Sequence, residues 1–513
     1  MPAYVPTATV TSSRNATIGT LFHARVPANP QHRAVVDGDR VLTYAELEER
    51  SNRLANALLA DGLQRGDRVG LLARNRLEYV EIELAAAKAG LIVACLNWRL
   101  GDRELQHCIN LVEATVIIVQ ADLSETLDRL ELTPQLASQR RIVLGGDYED
   151  VLAAGAPDYP DLEIDPEDGL VILYTSGTTG LPKGALISHR AMVARGMCFA
   201  SEFQIPIGDH FCAWPPFYHM ASTDQALATL LRGGTVHVID GYEPDLLIDL
   251  LEREEMRFFI LMPGMVGPFA AILEQKKVKI KGVGICGAMA DLVPREDIAA
   301  ATLALDAPFN NSFGATETGF PPASSALIPI GLAPTNLSKR QSAFCEMRLV
   351  DPDDNDVPVG TPGEVALRGP TLFSGYWNAD ETNAQDFRNG WFHMGDVLRR
   401  NEDGTLDYVD RVKYMIKSGG ENIYPAEIEQ VMLADKRVHE VVVVRRPDRK
   451  WSEVPVAFVV PADPSLTADE LMDLCRKNLS SYKHPKDIIF LAEEDLPRST
   501  TGKVQRHELE ARL

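Results

Sequence analysis

The chain has 513 residues, of which 45% are hydrophobic, and a formal net charge of −22 from 51 Lys+Arg against 73 Asp+Glu. That length exceeds one ordinary core, so two or more domains are expected, and the acidic balance argues against nucleic acid or an anionic membrane as the principal partner. Seven cysteines without a C-x-x-C pair form no closed disulfide framework and fit a reducing cytoplasm, while residues 1–15 lack an apolar signal core and no later run is long enough for stable membrane insertion.

Thr43 reads as the cap of a helix with an acidic first turn, followed by Leu54, Ala55, Ala57, Leu58 and Leu59 at helical spacing. Strands are expected at 67–72, 91–96 and 114–120, with helices at 79–89 and 103–111 between them. Strand and helix taking turns in this way predicts an α/β fold on a mostly parallel sheet. No repeat of fixed period and no low-complexity linker interrupts the chain, so any hinge is short.

The stretch Tyr174-Thr175-Ser176-Gly177-Thr178-Thr179-Gly180-Leu181-Pro182-Lys183-Gly184 combines hydroxyl side chains, glycines that let backbone N–H groups face a ligand, and one lysine. That is the chemistry of a polyanion cradle. It is not a Walker A loop, because Pro182 and Gly184 flank the lysine where glycine and Ser/Thr would be required. Its flanks read as strands, at 170–174 and 185–187, with Ser188 placed to cap a helix. The loop resembles the phosphate-binding signature of the adenylate-forming acyl-CoA synthetase superfamily, of the fatty-acid or aromatic-acid CoA ligase type.

Further stretches are similar to that family. Leu96-Asn97-Trp98-Arg99-Leu100 is one of them. Trp214-Pro215-Pro216-Phe217-Tyr218-His219 could be a core turn with a satisfied histidine; the resemblance implies that His219 lies beside the acyl pocket and helps exclude water. Gly282-Val283-Gly284-Ile285-Cys286-Gly287 matches G-x-G-x-x-G formally, but the preceding 278–281 alternates, and the acidic residue sought about twenty positions on could only be Asp306. Continued through Ala288-Met289-Ala290, it resembles the family's Gly-Gly-Ala-Pro segment, where backbone at Gly287 and Ala288 approaches adenine and acyl chain; Met289 replaces the usual proline.

Asn311-Ser312-Phe313-Gly314-Ala315-Thr316-Glu317-Thr318 offers an aromatic face, a hydroxyl and a carboxylate suited to a hard cation. It is similar to the family's Tyr-Gly-x-Thr-Glu motif with Phe313 in place of tyrosine, which implies nucleotide contacts at Asn311, Phe313 and Gly314, catalysis by Thr316 and Glu317, and Mg²⁺ at Glu317. Gly390-Trp391-Phe392-His393-Met394-Gly395-Asp396 supplies a carboxylate able to accept both ribose hydroxyls. Asp403-Gly404 marks a hairpin. The text from Asp410 to Glu429 resembles the family's interdomain junction, which implies Arg411 at the ribose, Lys413 as hinge, and Gly419 and Gly420 along the pantetheine channel. Near the end, Thr501-Gly502-Lys503 implies a mobile catalytic lysine at Lys503.

The resemblance implies a large multi-layer N-terminal domain, 1–410, of sheets flanked by helices, and a small mobile α+β domain, 411–513. It also implies a two-step reaction in which a carboxylate and ATP give acyl-AMP and pyrophosphate, after which coenzyme A takes the acyl group and AMP leaves. Trp214, Met220, Met265, Met289 and Phe320 suggest an apolar pocket for a medium-chain aliphatic or aromatic monocarboxylate. The partners expected are that acid, ATP and coenzyme A, with a homodimer left open. Two alternatives stand beside this reading: a ligase that loads a carrier protein, and a nicotinamide oxidoreductase resting on the glycine match alone.

Overall fold

Thr43 accepts a hydrogen bond from the Glu46 N–H while the Glu46 side chain returns to the Thr43 N–H, and this capping box starts the helix Tyr44–Ala60 where the sequence predicts it. The computed structural model describes residues 15–133, 136, 139–175, 181–419, 421–498 and 504–513. Within it the chain packs as two units, Met1–Glu346 with Arg368–Phe387, and Met347–Leu367 with Arg388–Leu513.

The first unit carries a six-stranded sheet in the order Arg141–Leu144, Val116–Gln120, Arg68–Leu72, Ile92–Cys95, Gly169–Thr175, Lys183–Ser188. Its first five strands run parallel and the last is antiparallel. The crossovers are the helices anticipated from hydrophobic spacing, Leu77–Ala89 and Asp102–Val112. The former is buried all round, so it lies inside the protein and not over one sheet face. The unit also carries a two-stranded ribbon, Gly314–Ala315 with Gly319–Pro322, and two four-stranded sheets. One pairs Arg40–Thr43, Arg33–Asp37, Thr235–Val238 and His210–Ala213; the other pairs Met256–Phe259, Val283–Cys286, Phe309–Asn310 and Leu327–Ile328. The core over the latter is rich in aromatic rings, with Phe199, Phe203 and Phe258 buried and Phe320 packed against them.

The second unit contains a four-stranded sheet of Glu346–Val350, Pro362–Arg368, Phe392–Arg400 and Leu406–Arg411, the last three antiparallel, and a C-terminal sheet built around the long hairpin Val438–Asp448 and Ser452–Pro461. Val441, Val443, Ala457 and Val459 face one helix layer, while Val442, Val444, Val456 and Phe458 face another cluster. That alternation is the period of two that puts successive side chains on opposite faces. All seven cysteines are free, and among the described residues no helix is long and apolar enough to cross a membrane.

Candidate active site

Three parallel strands of the first unit end together. Met256–Phe259 pairs with Val283–Cys286, which pairs with Phe309–Asn310, all parallel. Side chains leaving their carboxyl ends therefore share one edge, the place where open α/β sheets bind ligands. The exits are 260–265, 287–289 and 311–317. Gly282 and Gly284 stand at the start and within the strand, not in a turn after it, so the G-x-G-x-x-G match has no dinucleotide geometry. Gly287 has φ +79°, and a Cβ there would fall 2.1 Å from the Phe309 ring, so only glycine fits. Met289 is also left-handed, with φ 54°, and its N–H donates to Ser312 Oγ at 2.9 Å. This bond joins two of the exits, leaving Ala288 buried and Met289 partly exposed.

The hydroxyl-rich loop connects two antiparallel strands, with Thr175 opposite Lys183. Ser188 caps the next helix, His189–Phe203, by accepting from Ala191 N–H. Ser176, Gly177, Thr178, Thr179 and Gly180 lie outside the described residues, but both ends of their loop are fixed. Lys183 is half-buried, with Nζ 4.1 Å from the centre of the Tyr376 ring. The Tyr376 hydroxyl donates to Glu317 Oε1 at 2.7 Å. One tyrosine thus joins the lysine of the phosphate loop to the glutamate of the Thr-Glu motif, 134 positions apart in the chain.

Tyr376 is held from both sides. Its N–H donates to Asn383 Oδ1 at 2.7 Å and its carbonyl accepts from Asn383 Nδ2 at 2.8 Å. The segment around it lies along the strand Lys183–Ser188 as an extra edge, with Ser374 N–H to Leu186 O and Trp377 N–H to Gly184 O, each 2.8 Å. Phe373 N–H donates to the Glu317 carbonyl at 2.9 Å. Behind the motif, Arg195 donates to Thr316 O at 2.8 Å, to Thr371 O at 3.0 Å and to Asp224 Oδ2 at 3.2 Å, with both charged side chains almost wholly buried. Burial raises the Asp224 carboxyl against the lowering effect of Arg195.

Other anticipated residues have protein partners. Asn311 is buried, donating through Nδ2 to Leu337 O and accepting at Oδ1 from Lys339 Nζ at 2.7 Å. Phe313 is half-buried, its N–H donating to Ser324 Oγ, and Gly314 is exposed. His219 is exposed and caps the helix Met220–Leu231, its Nδ1 accepting from Ala221 N–H at 3.2 Å. Trp214 is core, donating Nε1–H to Ile260 O at 2.9 Å.

In the second unit Asp396 and Arg411 are directly paired across the hairpin, and Arg411 Nε donates to Asp396 Oδ1 at 3.0 Å. Lys413 lies in a short turn with Nζ 4.8 Å from the Tyr414 ring, and burial lowers its pKa, Arg411 adding to the effect. Gly419 has φ +59° and a Cβ there would meet Trp451 at 2.7 Å; left-handed backbone under an indole accounts for this glycine locally. Gly420 and Lys503 lie outside the described residues. The segment holding Lys503 is closed at its base by a bridge between Arg498 and Val504 and by Gln505 N–H to Pro497 O at 2.8 Å.

Sequence reasoning misses Tyr376, Asn383 and the Arg195–Asp224 pair. A signal exists for Arg195, which shares a helical face with Ala191, Met192, Cys198 and Phe199, where a charge needs a buried partner. Tyr376 carries none beyond an aromatic run around Gly375.

The AMP-binding enzyme family model matches residues 22–377, and the model of the AMP-binding enzyme C-terminal domain matches 427–503. Feruloyl-CoA synthase of Amycolatopsis sp is 35% identical over 506 residues, covering 98% of this chain and 100% of the relative. An indoleacetate–CoA ligase of Aromatoleum aromaticum is 30% identical over 489 residues, covering 94% and 95%. Among solved structures, a Mycobacterium tuberculosis fatty acyl CoA synthetase superposes with a TM-score of 0.79 at 28% identity, covering 97% and 98%. With matches spanning nearly its whole length, the chain belongs to the AMP-binding, adenylate-forming enzymes, and its activity is that of an AMP-forming acid–CoA ligase.

Proposed function

We propose that this ligase activates an apolar monocarboxylic acid, aromatic or medium-chain aliphatic. One observation carries the reading. Apart from Glu317, which accepts from Tyr376, no charged side chain occurs in 260–265, 287–289 or 311–317, the three segments that leave the parallel strands at the ligand edge. A second carboxylate or an ammonium buried there would lie unpaired, at a cost of several kcal/mol. The relatives named for feruloyl and indoleacetate substrates support the aromatic end of this range.

The residues then divide the chemistry between them. Lys183 and the backbone and hydroxyls of the 175–180 loop hold the polyphosphate of ATP. Thr316 meets the α-phosphate. Glu317, an oxygen donor oriented by Tyr376, fits a hard divalent cation, and Mg²⁺ held there would screen phosphate charge as the substrate carboxylate approaches. Phe313 offers a stacking face for adenine beside the backbone of Gly287 and Ala288. Asp396 accepts the ribose hydroxyls, with Arg411 fixing its carboxylate. His219 helps close the acyl end to water. Attack by the acid on the α-phosphate forms the acyl–phosphate bond and expels pyrophosphate; the coenzyme A thiol then displaces AMP from the acyl carbon. Residues 411–513 act as a mobile domain about Lys413, presenting Lys503 for the first step and the Gly419-Gly420 face for the second.

A panel of carboxylic acids assayed for AMP formation with and without coenzyme A tests the substrate class. Aromatic or medium-chain monocarboxylates are expected to give the highest kcat/KM; a dicarboxylate or amino acid as best substrate would overturn it.

A further inference from the structure

Away from the ligand edge, two histidines meet on neighbouring parallel strands. His210 opens the strand His210–Ala213, and His237 lies in Thr235–Val238, one diagonal step across the ladder. Trp214 and His219 follow the other end of the first strand, so His210 sits at the opposite end of it from the acyl-pocket segment. His210 Nδ1 and His237 Nε2 are 3.0 Å apart. Glu254, directly after the helix Pro244–Arg253, completes the group, and one ligand atom from each of the three side chains lies within 4.8 Å of the others.

Arg33 Nη2 donates to Glu254 Oε1 at 2.8 Å, fixing one carboxylate oxygen, while Oε2 lies 3.6 Å from His210 Nε2. Ligating carboxylates are characteristically held in this way by an outer partner. Tetrahedral Zn²⁺ with bonds of about 2.0–2.1 Å needs ligand atoms about 3.3 Å apart. His210 Nδ1 and His237 Nε2 nearly meet that spacing, whereas Glu254 Oε2 faces His210 Nε2, so the carboxylate would have to turn about its Arg33 contact to reach the same ion.

We propose that His210, His237 and Glu254 bind one Zn²⁺ ion, with water as fourth ligand, as a clasp between these two strands and the end of the helix. Its test uses the full chain, stripped with chelator, reloaded with Zn²⁺ alone and freed of excess metal, with bound zinc measured by mass spectrometry and thermal unfolding followed with and without Zn²⁺. The parent should retain one equivalent and melt higher with zinc. His210→Gln and Glu254→Gln, both at partly exposed side chains, should each weaken binding by at least ~10-fold, and Arg33→Gln should do so by ~10-fold through loss of the outer hydrogen bond. Acid-dependent pyrophosphate release should be the same in stripped and reloaded parent. No zinc retained by the parent, or one equivalent retained equally by His210→Gln and Glu254→Gln, would overturn the assignment.

Discussion

Replacing Tyr376 with phenylalanine removes one oxygen and leaves the ring. The ring keeps its edge-on contact with Phe373, whose centroid is 4.9 Å away, and the face beneath Lys183 Nζ. The one loss is the hydroxyl that donates to Glu317 Oε1 at 2.7 Å. A hydrogen bond to a charged group contributes about 1.5–3 kcal/mol. Glu317 is half-buried, so the lower part of that range applies, about 1.5–2 kcal/mol, or ~10–30-fold in kcat/KM for adenylation. The defect should deepen at limiting Mg²⁺, because a carboxylate free to rotate holds the cation less well. Acid-dependent pyrophosphate release measured across a Mg²⁺ titration reads this directly, with Glu317→Gln as the reference variant that loses Mg²⁺-dependent adenylation while its circular dichroism is unchanged. Adenylation by Tyr376→Phe within twofold of the parent at every Mg²⁺ concentration would refute the orienting role.

Arg195→Met should destabilise the protein by about 3–5 kcal/mol in urea unfolding, because it strands Asp224 uncompensated in the core; adding Asp224→Asn should recover part of the loss, and no recovery would count against the pair. Glu83 is wholly buried, accepts from Thr223 at 3.1 Å, and burial raises its pKa to about 8. The unfolded chain gives up this proton above about 4.5 and the fold keeps it to about 8, so the native state binds more protons in that window and stability falls there as pH rises, by up to ~1.4 kcal/mol per pH unit. Glu83→Gln should flatten that slope, and an unaltered slope would show that Glu83 does not titrate there. Lys503→Ala should abolish most acyl-AMP formation yet still convert supplied acyl-AMP and coenzyme A to thioester, whereas Lys413→Pro should adenylate but transfer slowly. Equal loss of both half-reactions in the first variant, or transfer at the parent rate in the second, would contradict the swinging of residues 411–513.

Local signals in the sequence carry far. The Thr43-x-x-Glu46 capping box, the period-two and period-3.6 runs through 67–120 and the Ser188 cap all state locally what the fold repeats, with boundaries shifted by a residue or two. The helix Leu77–Ala89 reads correctly as a helix, but its burial on every side comes from tertiary packing that spacing alone cannot express. The motif residues are legible for the same local reason, since glycines, hydroxyls and a lysine in one loop announce anion chemistry. What joins them is not. Tyr376 meets Lys183 and Glu317 only after the 374–377 segment adds beside the strand Lys183–Ser188, a pairing between stretches nearly two hundred positions apart. Gly419 shows the opposite case: a glycine singled out for ligand access has a sufficient local cause in its left-handed backbone beneath Trp451.

The chemistry assigned to this chain is activation of an acid as an adenylate followed by transfer to a thiol. The most direct test incubates the protein with ATP, Mg²⁺ and an aromatic acid without coenzyme A, traps the bound species for mass spectrometry, and then adds coenzyme A. Acyl-AMP with an equivalent of pyrophosphate is expected before the addition, and acyl-CoA with AMP after it. Release of ADP with an acyl phosphate, or an acyl-AMP that persists unchanged when coenzyme A is supplied, would contradict it.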